Sequence, residues 1–145
     1  MHKTLIPLIV SMALIISGCT INKSSGYQSK EFEVRRIQSL YVAHQPKDKR
    51  HINLLIKKEL EKKGYEVGTG SINNIPKHTD GLITYIDKWM WDFGTYMFEL
   101  TVFFKNPETE YPIASGHSLH GSLTRVTQEE MVEEAVINML GGENE

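Results

Sequence analysis

A single cysteine in 145 residues leaves no partner for an intramolecular disulfide and too few thiolates for a metal cluster. Excess basic charge is missing too. Lys and Arg number 16 against 18 Asp and Glu, a formal net charge of -2 that becomes -3 once Lys3 is set aside with the residues before Cys19. That balance excludes the electrostatic footprint of a nucleic-acid binder and any polybasic route to anionic lipid. The stretch GTGSIN at 68–73 is too short for a phosphate loop and lacks its lysine, and no G-x-S-x-G elbow occurs. Internal repeats and low-complexity segments are absent as well.

What is present is ordinary globular material, 40% hydrophobic and 23% charged, enough for one modest domain behind a leader. Residues 1–18 read MHKTLIPLIVSMALIISG. His2 and Lys3 form a short polar start, and Leu5 to Ile16 is almost wholly apolar. The length suits a signal-peptide core and is short for a membrane span. Small Ser17 and Gly18 then precede Cys19. The spacing predicts a signal peptide over 1–18.

A lone cysteine serves as a buried small hydrophobe, a reactive thiol or an attachment point, and its position favours the last. Ile16-Ser17-Gly18-Cys19 resembles the lipobox of bacterial lipoproteins. The resemblance implies a diacylglyceryl group on the Cys19 sulfur, cleavage just before it, and acylation of the new amino group by a palmitate-type chain. Each buried methylene contributes roughly 0.8 kcal/mol, so two or three chains hold where one holds only marginally. Thr20 stands where an aspartate favours inner-membrane retention in that family. The implied address is therefore the cell envelope, on the periplasmic side of the outer membrane. Residues 19–36 follow as lipidated cysteine and flexible tether, because TINKSSGYQSKEFEVRR is polar without sustained apolar period. Phe32 and Val34 leave room for a short edge strand there.

The folded domain is expected over 37–142. IQSLYVA at 37–43 reads as a buried strand, and Asp48 as the cap of a helix running to Lys63. Ile52, Leu55, Ile56 and Leu60 share one face of that helix, and Gly64 suits its carboxy-terminal cap. With YEVGTG as the next strand, this predicts a parallel βαβ unit. GLITYIDKWMWD reads as a central strand, with Tyr85, Asp87, Trp89 and Trp91 on one parity. TYMFELTVFFK alternates, with Tyr96, Phe98, Leu100, Val102 and Phe104 on its buried side. IASGHSLHGSL, small and polar, reads as an edge strand. Thr127 and Glu130 form a capping-box signature before a helix with Val132, Ala135, Val136, Met139 and Leu140 on its apolar face. The economical packing is α/β (α+β): a two-layer sandwich, one mixed sheet of four to five strands with both helices on one face.

Six histidines raise the question of a metal. His117 and His120, the closest pair, are three apart on a strand and point to opposite faces, so no metal site and no cofactor is expected. Ser115, Ser118 and Ser122 lie near those histidines and supply the one hydrolase reading, without a recognisable elbow. Both tryptophans of the chain lie in WMWD. Trp and Tyr anchor interfaces, and a buried Asp87 would need a partner, so Tyr85, Asp87, Trp89 and Trp91 are the candidate partner-binding residues, against the reading of a bulky core face.

From SLYVAHQPKDKRHINLLIKKELEKKGYEV through DGLITYIDKWMWD to IASGHS, the layout resembles small envelope lipoproteins of bacteria. Their domain is similar to the amino-terminal domain of TolB and to lipoprotein activators of cell-wall synthases. The resemblance is one of layout and carries no site residues. It implies an α/β sandwich and a non-catalytic, partner-binding role in the envelope. A self-assembling structural lipoprotein and an envelope hydrolase are the alternatives.

Overall fold

The computed structural model describes residues 21–30, 32–33 and 36–141; the expected signal segment and Cys19 lie outside the described residues. Six strands and two helices follow in the order β1 (Asn22–Gln28), β2 (Ser39–Ala43), α1 (Ile52–Lys62), β3 (Glu66–Gly70), β4 (Gly81–Trp91), β5 (Thr95–Lys105), β6 (Pro112–His120) and α2 (Gln128–Leu140). The strands form one mixed sheet in the order β1-β6-β5-β4-β2-β3. β2 runs parallel to both β3 and β4, and the other pairs are antiparallel. The βαβ unit, the mixed sheet and the α+β class stand as the sequence predicts, with six strands rather than four or five.

Both helices cover one face. Ile52, Ile56 and Leu60 of α1 and Met131, Val132, Ala135, Val136 and Met139 of α2 join Leu40, Val42, Ile83, Tyr85, Leu100, Val102 and Phe104 in a single buried cluster. Fully burying such a side chain contributes roughly 1.5–3 kcal/mol, so this cluster is the main source of stability. α2 starts on its capping box, with Thr127 and Glu130 bonded reciprocally, and stops at Gly141, whose φ of 80° is left-handed. The start of α1 differs from expectation. His51 at φ 59° is the cap residue and makes no side-chain cap bond. Asp48 serves from further back, accepting the backbone N–H of Arg50 at 2.8 Å and of Asn53 at 3.4 Å.

Three expectations require correction. Residues 22–28 belong to the domain and not to a tether: β1 pairs with β6 along its whole length, Asn22 opposite His120 and Gln28 opposite Ala114. Asn138 Nδ2 donates to Ser24 Oγ at 2.5 Å and Gln28 Nε2 donates to the Met139 carbonyl at 3.0 Å, so α2 holds this polar strand in place. β6 is consequently an interior strand. Its small residues admit α2: a Cβ on Gly116 would meet the Ala135 carbonyl oxygen at 1.8 Å, and one on its register partner Gly26 would meet that of Asn138 at 2.2 Å. Finally, β5 does not keep one parity. The register shifts beyond Lys88, with Lys88 opposite Glu99 and Trp89 opposite Met97, so Phe98 is an extra residue. Met97 is buried while Tyr96 and Phe98 are only half-buried.

Candidate functional site

The four side chains expected to form one surface occupy three environments. Tyr85 is core, 1% exposed. Its hydroxyl donates to Asp48 Oδ2 at 2.8 Å and accepts the Gln45 N–H at 3.3 Å. Burial and the neighbouring Asp48 carboxylate push the Tyr85 hydroxyl well above its ordinary pKa. Burial opposes ionisation of Asp48, but the bonds from Tyr85 and from the start of α1 outweigh it and hold that carboxyl below its usual range. Trp89 is half-buried against the core cluster, donates to Asp87 Oδ2 at 2.5 Å and carries the Arg50 guanidinium 4.0 Å above its ring. Asp87 therefore has its partner within the strand. Of the four, Trp91 alone lies open, 77% exposed at the end of β4. Common parity did not mean common exposure.

The serines and histidines of 115–122 divide between the two faces of the sheet. Ser118 and His120 face α2, where both bond one carboxylate: Ser118 Oγ donates to Glu134 Oε2, and His120 Nε2 lies 2.8 Å from the same oxygen. His120 Nδ1 is taken up by the Thr124 carbonyl at 3.0 Å. Burial would raise the Glu134 pKa, but bonds from Ser118, His120 and Ser24 hold it below the ordinary range. Ser115 and His117 alternate with these residues toward the other face. Ser122 lies beyond the strand and donates to Asp92. Among the described residues no serine hydroxyl of 115–122 bonds a histidine nitrogen, and no three His, Cys, Asp or Glu side chains gather as a metal site. What Glu134 does here is structural: it satisfies buried polar groups where β6, β1 and α2 meet.

Sequence reasoning offered the open side of the sheet only as a contact for self-assembly and did not place its residues. Lys88 Nζ donates to Glu99 Oε2 at 2.5 Å, and His117 Nε2 lies 2.9 Å from Glu99 Oε1, so a cation and an imidazole flank one carboxylate across β4, β5 and β6. The Lys88 and His117 bonds hold the Glu99 pKa below its usual value. Around this row stand Ile86, 52% exposed, Met90 and Tyr27, with Phe103 and Leu119 half-buried. Near β2 the same face is closed by Ile75, which packs on Tyr41, Ala43 and Leu82. The signal for the open surface was the parity of β5 opposite its apolar one, which carries Glu99, Thr101 and Lys105.

No family model and no curated protein matches the chain. Solved structures do. A point variant of the PelC dodecamer from Paraburkholderia phytofirmans superposes with a TM-score of 0.61 at 9% identity, over 85% of this chain and 100% of that one. The PelC dodecamer from the same organism in another crystal form gives 0.55 at 11%, over 86% and 100%. A PDZ domain protein from Parabacteroides distasonis gives 0.50 at 12%, over 91% of this chain and 38% of that one. At such identities these likenesses establish the fold.

Proposed function

We propose that this chain is a lipid-anchored, non-catalytic cell-envelope protein, attached through Cys19 on the periplasmic side of the outer membrane, whose domain binds another envelope component. The observation that carries the binding reading is the uncovered face of the sheet, where Ile86, Met90 and Tyr27 stand exposed around the Lys88–Glu99–His117 row. Large exposed apolar side chains grouped with charged ones on a face that no helix covers are the surface a partner would use. The lipobox resemblance and the layout shared with envelope lipoproteins supply the address. The test places a photo-crosslinking residue at Thr101, in the middle of that face, and compares capture from native membranes with and without Ile86→Asp and Met90→Asp. These side chains are exposed, so the fold survives and capture should disappear. Undiminished capture sinks the reading.

Self-assembly is the second reading, favoured by a likeness to a protein that crystallised as a dodecamer. Sedimentation of the purified chain decides it: a monomer at high concentration removes self-association, and a discrete oligomer lost in Ile86→Asp makes the open face the contact.

A further inference from the structure

Three chain segments meet at one end of the sheet. Asp92-Phe93-Gly94 closes the β4–β5 hairpin, with the Asp92 N–H donating to the Gly94 carbonyl at 3.0 Å. The turn of 122–124 braces it: Ser122 Oγ donates to the Asp92 carboxylate, Arg125 Nη2 donates to the Asp92 carbonyl, and the Arg125 guanidinium lies 4.0 Å above the Tyr96 ring. Ile21 joins from the amino-terminal side, its carbonyl accepting the Gly121 N–H at 2.7 Å and the Thr124 hydroxyl at 2.8 Å.

This rim presents large apolar side chains to solvent: Phe93 at 97% exposure, Trp91 and Leu123 at 77%, and Ile21 at 54%. Phe93 is the informative one. Its φ is 50°, a left-handed conformation that a bulky residue rarely adopts, and its side chain is almost fully exposed. Glycine or asparagine would suit the turn better. The residue thus costs the fold backbone strain and returns no burial, which points to a use outside the domain.

Covalent geometry indicates what that use is. Cys19 precedes Ile21 by two residues, a reach of at most about 7 Å. Ile21 is fixed to the rim, so acyl chains on Cys19 would enter a bilayer beside Phe93 and Trp91. We propose that the β4–β5 hairpin tip is a bilayer seat, with Trp91, Phe93, Leu123 and Ile21 inserted at headgroup depth next to the lipidated cysteine. Tryptophan prefers that depth, where its ring is half in hydrocarbon and its N–H is wet. Arg125 is engaged with Asp92, and Glu129 and Glu130 stand at the start of α2, so the contact is apolar and insensitive to salt. The proposal rests on the lipid-anchor reading.

The test uses the full lipidated chain in phosphatidylethanolamine–phosphatidylglycerol vesicles, some with bromine on the acyl chains. Trp89→Phe leaves Trp91 as the sole tryptophan reporter, and Trp91→Phe leaves Trp89. Bromolipid should quench the Trp91 emission strongly and the Trp89 emission little, at low and high salt alike. A chain that floats with the vesicles while Trp91 stays unquenched keeps the anchor and overturns the seat. Trp91 shielded from both bromolipid and aqueous iodide means that protein covers it, which also overturns the seat. A chain that does not float at all overturns the anchor and the seat together.

Discussion

The two faces of the sheet use carboxylates differently. On the helix-covered face, Glu134 and Asp48 each accept from several donors and tie separate elements together: Glu134 joins β1, β6 and α2, and Asp48 joins the start of α1 to β4. On the open face, Glu99 bonds Lys88 and His117 within the strand layer alone, with Lys88 mostly in solvent. The first arrangement links strands to a helix across the core, and the second links neighbouring strands only. The difference separates residues that make the domain from residues free to serve what it meets.

Substitutions sharpen that contrast. Gly116→Val drives a side chain into the α2 backbone and should cost more than about 3 kcal/mol in denaturant unfolding, the largest effect expected. Next comes Glu134→Ala, which strips the acceptor from donors on β1 and β6 and should cost about 2–3 kcal/mol. Its pH dependence has a definite sign. The folded-state pKa of Glu134 lies below its ordinary 4.5, so its contribution is present above that value and lost as pH falls through the depressed folded value. The gap between wild type and Glu134→Ala, followed by urea melts at falling pH, should therefore close in acid. Tyr85→Phe removes the hydroxyl between Asp48 and Gln45 and should cost about 1–2 kcal/mol. Lys88→Ala, breaking an exposed pair on the open face, should shift stability by less than about 0.5 kcal/mol. A large loss from Lys88→Ala, or none from Glu134→Ala, would break the distinction between the faces.

Much of this fold was legible in the chain. β5 alternates from Leu100 to Phe104, α2 carries its capping box and apolar face, and α1 has a helical stripe ended by Gly64, because each signal is local. β1 was not legible. NKSSGYQ has neither alternation nor β-branched residues, and it becomes a strand only because β6 offers a ladder and α2 offers Asn138 and the Met139 carbonyl. β6 was taken for an edge because small residues read as weak packing, whereas here they mark where a helix backbone comes closest. The candidate site was legible in part. WMWD was read as one face, but alternation predicts a face and not which of its side chains stay exposed, and Tyr85 is core, Trp89 half-buried and Trp91 open.

The pairing of β1 also orders events in time. Ser24 bonds Asn138 across 114 residues and Gln28 reaches Met139 across 111, so the first strand is completed by the last helix. A chain made from its amino terminus cannot close this sheet until α2 has been synthesised. Contacts this distant in sequence are slow to form, because loop-closure entropy is spent before they return anything. The sheet therefore stays incomplete until α2 has been made, and everything between the two must be held without its first strand.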